Sequence, residues 1–148
     1  RLRPDYGYAR YALDTVLLRD RRADAALEQF EHAGRAGLDT PALARGRAEA
    51  LFELARFDDA EQALDATVAR WPADLDAHKM LAQLRHTRGD PDFARSLAQA
   101  AHAQPRRPEL SAALADLLRR GGDSARSVAV ARSAIARFGS TPTLLAMQ

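Results

Sequence analysis

Apolar residues recur along this chain with the period of a helix, and small residues recur with the period of a hairpin. Ala26, Ala60 and Ala94 stand 34 residues apart, and Ser127 follows after 33. Four residues beyond each come Phe30, Leu64, Ala98 and Ala131, and three further on Ala33, Thr67, Ala101 and Ala134. Steps of four and three place each set on one helix face. A second series precedes the first. Leu13, Arg47, Leu81 and Leu114 hold its first slot, Asp14, Ala48, Ala82 and Ala115 the next, and Leu17, Leu51, Arg85 and Leu118 the third. Two stripes per period predict an A helix and a B helix joined by a short turn, repeated along the chain.

The breakers fall where that reading needs them. Proline costs roughly 3 kcal/mol inside a helix but little in its first turn. Thr40-Pro41, Asp90-Pro91 and Thr141-Pro142 each place a capping residue before a proline, and Arg107-Pro108 repeats the pattern without the cap. Gly89 and the pair Gly121-Gly122 stand where an A helix must stop and reverse. Helices are predicted at about 6–19, 22–35, 41–54, 58–70, 75–87, 91–103, 108–120 and 124–137, with another opening at 142 and no strand. Residues 1–148 then make one all-α solenoid of antiparallel helix pairs. Its repeats are 7–40 (degenerate), 41–74, 75–107 and 108–141, and 142–148 starts a fifth repeat or a capping helix.

Composition sharpens this picture. There are 33 alanines but only 6% aromatic residues, so the core must be built from elements that approach closely. Alanine-rich helices packed side by side achieve that, whereas sheets would want more Val, Ile and aromatics. Cysteine is absent, which excludes disulfides and thiolate metal sites. No run approaches the 18 apolar residues of a membrane span, so no membrane insertion is expected. The charge is close to balanced, with 22 basic and 20 acidic residues, and the basic ones do not gather on one face. No nucleic-acid partner is expected on that ground.

Locally the balance shifts: residues 41–74 carry 4 basic and 7 acidic side chains, residues 75–107 carry 6 and 3, and residues 108–141 carry 5 and 3. Such polarity suits a partner's direction, or end-to-end stacking into a homo-oligomer. Only Lys79 among the basic residues is a lysine. With the alanine excess, that points to a GC-rich bacterial genome; the compartment is left open, with the bacterial cytoplasm favoured and the periplasm possible. The chain opens Arg1-Leu2-Arg3 without methionine, as a piece of a longer protein or a processed one would.

Candidate chemistry is sparse. The histidines are His32, His78, His86 and His102. His78 and His86 are eight residues apart, about 12 Å along a helix, too far to share a metal. No HExxH, phosphate loop or GxSxG motif appears, and Gly121-Gly122 lacks the lysine of a phosphate loop. No catalytic residue, metal ligand or cofactor is therefore expected.

The unit resembles the tetratricopeptide repeat family. The clearest copy is 41–74, where Ala48 and Leu51 fill helix-A slots, Phe57 the turn aromatic, Ala60 the near-invariant small slot, and Leu64, Thr67 and Pro72 the positions after it. Phe57-Asp58-Asp59-Ala60 is very like the family's turn into helix B. Gly89-Asp90 and Gly122-Asp123 match the family's turn in the next two copies. The tryptophan slot departs, holding Arg10, Ala44, His78 and Ser111, and the unit from Leu75 to Arg107 is one residue short.

The resemblance implies a right-handed superhelix whose A helices line a concave groove for a protein or peptide partner. Carried over slot by slot, the groove residues are Tyr8 and Tyr11, then Arg45, Glu49 and Phe52, then Lys79, Gln83 and His86, and finally Arg119 with Asp116. The slots that grip a chaperone-tail carboxylate in some members here hold Tyr11, Thr15, Gly46, Asp76 and Met80, which is no such clamp. The expected function is a non-catalytic interaction scaffold. The alternative is the recruitment or regulatory arm of a larger bacterial enzyme (a transferase or oxygenase) or of an envelope export machine.

Overall fold

The computed structural model describes residues 12–13 and 22–139. Among them are seven α-helices and no strand: α1 (Ala23–Arg35), α2 (Pro41–Glu53), α3 (Phe57–Arg70), α4 (Leu75–Thr87), α5 (Arg95–Ala103), α6 (Pro108–Arg120) and α7 (Ser124–Phe138). They belong to two compact units, Arg1–Trp71 and Pro72–Gln148. In the first, α1 packs on α2 and α2 on α3. In the second, each helix from α4 to α7 packs on the next, and α4 also touches α6. That neighbour-on-neighbour layering is what a helical repeat requires, because no hairpin can bury its apolar face alone. The helices predicted at 6–19 and from 142 lie outside the described residues, apart from Ala12 and Leu13, which are helical and exposed.

Three of the helix starts are capped by side chains. Thr40 Oγ1 accepts from the Leu43 N–H at 3.2 Å, with Pro41 at the first helical position. Asp74 Oδ1 accepts from the N–H groups of Asp76 (3.1 Å) and Ala77 (3.4 Å) to open α4. Asp123 Oδ1 accepts from the Arg126 N–H at 2.9 Å to open α7. Each side chain satisfies a donor that the first turn leaves without an intrahelical partner.

The stops are equally regular. After α1, α2, α4 and α6 the chain closes with an N–H bonding a carbonyl five residues back: Leu38 to Ala33, Arg56 to Leu51, Asp90 to Arg85 and Asp123 to Leu118. The residue before each of those donors has positive φ, namely Gly37, Ala55 (φ 57°), Gly89 and Gly122. Three of the four are glycine, as the left-handed geometry favours. Ala55 adopts it at a steric cost of roughly 1–2 kcal/mol.

The predicted small slots are buried: Ala26 and Ala60 are fully inaccessible, and Ala94 and Ser127 nearly so. Ser127 keeps its hydroxyl satisfied by donating to the Ala115 carbonyl at 2.7 Å. One part of the register needs correction. In α5 and the turn before it the buried face is Phe93, Leu97 and Ala100, while Ala98 is exposed and Ala101 only partly covered. The structural intervals of helix B are therefore 34, 33 and 34, since Phe30, Leu64, Leu97 and Ala131 are the matching buried positions.

The lost residue lies between Gly89 and Phe93. There the helix predicted from 91 begins only at Arg95. Asp90 does not cap a helix across its proline. Its Oδ1 accepts from the Asp92 N–H at 2.8 Å, the Arg95 N–H bonds the Asp92 carbonyl at 3.1 Å, and the Arg95 guanidinium holds Asp90 at 2.7 Å. A turn fastened by side chains takes the place of the first helical turn, and it carries Phe93 into the core where the other copies place a small residue. Phe93, Leu97, Leu110, Leu114 and Leu118 form the centre of the second unit's apolar cluster.

The aberrant tryptophan slot also resolves. His78 is buried, with Nε2 2.9 Å from the Pro72 carbonyl and Nδ1 2.7 Å from Ser96 Oγ. A carbonyl only accepts, so Nε2 carries the proton, and Nδ1 is free to accept from the serine hydroxyl. Gln104 Nε2 donates to the same Pro72 carbonyl at 3.3 Å. His78 is thus a satisfied core polar group, whereas His86, two turns on, is exposed.

Candidate partner-binding site

Helix spacing decides which side chains share a face. On α2, Arg45, Glu49 and Phe52 follow at steps of four and three, so they form one stripe. Arg45 and Phe52 are partly buried and Glu49 is exposed. Phe52 meets Phe57 edge to face, with centroids 5.4 Å apart, and Phe57 stays 39% exposed. The first unit therefore presents an aromatic pair beside charged groups. Tyr8 and Tyr11 lie outside the described residues.

On α4, Lys79, Gln83 and His86 repeat the spacing, and all three are exposed. They form one wall of a cleft of about 370 Å³ whose other wall is α6. The facing residues are Ala113, Asp116, Leu117, Arg120 and Gly121, and Ala82 and Phe93 lie at the base. The size and mixed lining are those of a ligand-sized site. The His86 ring stands edge-on to Phe93, with centroids 4.9 Å apart.

Arg119 does not line this cleft. Its guanidinium donates to Asp116 Oδ1 at 2.8 Å, while Arg120 Nε holds Oδ2 at 2.7 Å. Three of the expected groove residues are thus brought together, and Arg119 reaches the site through Asp116. Phe93, Leu117 and Gly121 were not foreseen. The signal for Phe93 was the one-residue shortfall of its unit, which a 33-residue shift would have turned into Phe93-Leu97-Ala100.

Three carboxylates of this unit are held below their usual range. For Asp116, partial burial pushes upward, but the bonds from Arg119 and Arg120 outweigh it. Asp123 is lowered by the Arg126 backbone N–H and then by its guanidinium. Glu109 is lowered by a backbone N–H and then by Arg107. A carboxylate whose folded pKa is depressed contributes stability above its unfolded pKa, and that contribution is lost as pH falls through the folded value. The melting temperature is therefore expected to be flat above about pH 5 on account of these groups and to fall below about pH 4. Asp123→Asn keeps the capping oxygen but not the charge, so its melting temperature should fall less steeply with acid. An unchanged acid slope in this variant would remove Asp123 from the explanation.

Among the described residues no group of three or more His, Asp or Glu side chains is placed to hold a metal, and no helix is long and apolar enough to cross a membrane.

Comparison with known proteins agrees with this architecture. The family model described as Tetratricopeptide repeat matches residues 11–74 and 45–108. A search of the curated proteins finds no match. Among solved structures, TTC0263, a thermophilic TPR protein of Thermus thermophilus, superposes with a TM-score of 0.61 at 21% identity, covering 95% of this chain and 78% of that one. YrrB, described as a TPR protein with an unusual peptide-binding site, gives 0.56 at 18% identity, covering 95% and 73%. MamA AMB-1 gives 0.56 at 15% identity, covering 93% and 76%. At such identities these structures speak for the fold alone. The two family matches together run from residue 11 to residue 108, well over half of the 148 residues, and the chain belongs to the tetratricopeptide repeat family.

Proposed function

We propose that this protein binds a segment of a partner protein along its exposed A-helix faces, and that it has no catalytic role. The tetratricopeptide fold is in general that of a non-catalytic protein-interaction scaffold, which is the frame for the finer reading. The observation that carries it is the α4–α6 cleft. There an apolar base is rimmed by polar side chains drawn from the slots the family uses for partners. The stripe Arg45, Glu49, Phe52 on α2 adds a second contact surface of the same kind, with an aromatic pair as its apolar part. YrrB, which shares the fold, is itself described as having a peptide-binding site, and that supports the reading by analogy.

The test is a triple substitution, Arg45→Ala, Phe52→Ala and Lys79→Ala, compared with the parent in capture of partners from the native extract. Lys79 is exposed and the other two are only partly buried, so the variant is expected to fold. Loss of one aromatic and two charged contacts should weaken capture by at least about 2 kcal/mol, roughly thirtyfold. Undiminished capture by a folded triple variant would dispose of the proposal.

A further inference from the structure

The α4–α6 cleft has a chemistry that selects among partners. Its apolar lining is made of Ala82, Phe93, Ala113, Leu117 and Gly121, none of which offers a polar side chain. Gly121 lies directly against Phe93, close enough that a Cβ there would fall 2.3 Å from Phe93 Cζ. The ring is fixed on that side and meets His86 on another. An apolar, aromatic-bearing recess of this kind favours a large flat side chain, which gains area and edge-to-face contacts together.

The rim carries an excess of positive charge. Its only carboxylate, Asp116, has both oxygens occupied by Arg119 and Arg120. Lys79, exposed on the opposite wall, makes no hydrogen bond or ion pair with another described residue. The surrounding unit shares the sign, with 11 Lys and Arg against 7 Asp and Glu over residues 72–148, a difference of +4. Resting on the binding role proposed above, we infer that this cleft takes a partner segment in which an aromatic side chain is flanked by acidic residues. The ring enters the recess over Phe93 and His86, and a neighbouring carboxylate meets the Lys79 ammonium. A basic segment would set like charges against Lys79 and Arg120, which suppresses the wrong partner as effectively as attraction selects the right one.

Three fluorescein-labelled peptides test this. One has a central tryptophan between pairs of aspartates, the second replaces the aspartates by lysines, and the third replaces the tryptophan by alanine. Fluorescence anisotropy should show binding of the first, no binding of the second, and Kd raised about tenfold for the third or for Lys79→Glu with the first peptide. Lys79 is the only lysine of the chain, so acetylation followed by mass spectrometry reads its protection directly. The first peptide should protect it and the second should not.

Equal binding of the aspartate and lysine peptides would overturn the inference. So would an affinity unmoved by Lys79→Glu, or no binding of the first peptide at about 1 mM. Sedimentation velocity of the protein alone should show no self-association that the peptide reverses. A dimer dissolved by the peptide would assign the cleft to a second copy and refute the inference as stated. If the acidic peptide fails while the triple variant still loses its native partner, only the acidic-aromatic selectivity falls. If capture survives the triple substitution as well, the binding role falls with it.

Discussion

Ala60→Arg is expected to leave no cooperatively folded protein. The Ala60 side chain is fully inaccessible in the first turn of α3, where α3 packs on α2. An arginine there must either overpack the helix contact or leave its charge buried without a partner. Overpacking alone costs about 1–3 kcal/mol, and an unpaired buried charge costs several more. The sum rivals the whole stability of a domain this size, about 5–15 kcal/mol. Leu64→Ala, one helical turn further along the same buried face, deletes volume and adds no charge, so it should cost only about 2–5 kcal/mol and still fold. Circular dichroism melts of the two variants beside the parent decide the matter. A melting temperature for Ala60→Arg at the parent's value would mean that this position is not a helix–helix contact.

The second large effect concerns glycines that no turn requires. Gly46 lies inside α2, where exchange for alanine should gain about 1 kcal/mol on helix propensity alone. The Phe30 ring occupies that space, and a Cβ at Gly46 would fall 2.7 Å from Phe30 Cζ. Gly121 meets Phe93 more closely still, at 2.3 Å. Each glycine leaves room for the tip of a phenyl ring against the helix backbone, so Gly46→Ala and Gly121→Ala are each expected to destabilise by about 1–3 kcal/mol. Gly34→Ala is the contrasting case. Its nearest neighbour is Leu43 Cδ2 at 3.9 Å, an ordinary contact, and the substitution should stabilise by up to about 1 kcal/mol. Denaturant midpoints for the three variants should therefore move in opposite directions. Stabilisation of all three would show that propensity and not ring packing governs these sites.

Much of this was readable in the sequence because the physics is local and repeated. Thr40-Pro41 opens α2 and Pro108 opens α6, as the proline rule predicts, and the glycines of positive φ sit at the stops. Ala26 and Ala60 had to be small, since both stand where helices touch, and both are fully buried.

What could not be read was set by contacts between distant residues. The turn at 90–94 looks like a capped helix start by residue type, yet Asp90 spends its carboxylate on Asp92 N–H and Arg95. That choice moves the register of α5 by one residue and brings Phe93 inward, which no local pattern reveals. The site was legible in the same measure. Lys79, Gln83 and His86 follow from slot positions on one helix, but the rest of their cleft is completed by Phe93, from the turn before α5, and by α6. The pairing of Asp116 with both Arg119 and Arg120 has a simpler origin, since steps of three and four always bring such charges together on a helix.

The binding role of the A-helix face is tested most directly by photo-crosslinking at single positions in the native extract. A photoreactive residue replacing Glu49 or Gln83 samples the A-helix faces of α2 and α4, and one replacing Gln62 or Arg132 samples exposed positions on α3 and α7. Adducts from the first two positions, and none above background from the second two, are the predicted result. Adducts from Gln62 and Arg132 with none from Glu49 and Gln83 would contradict it.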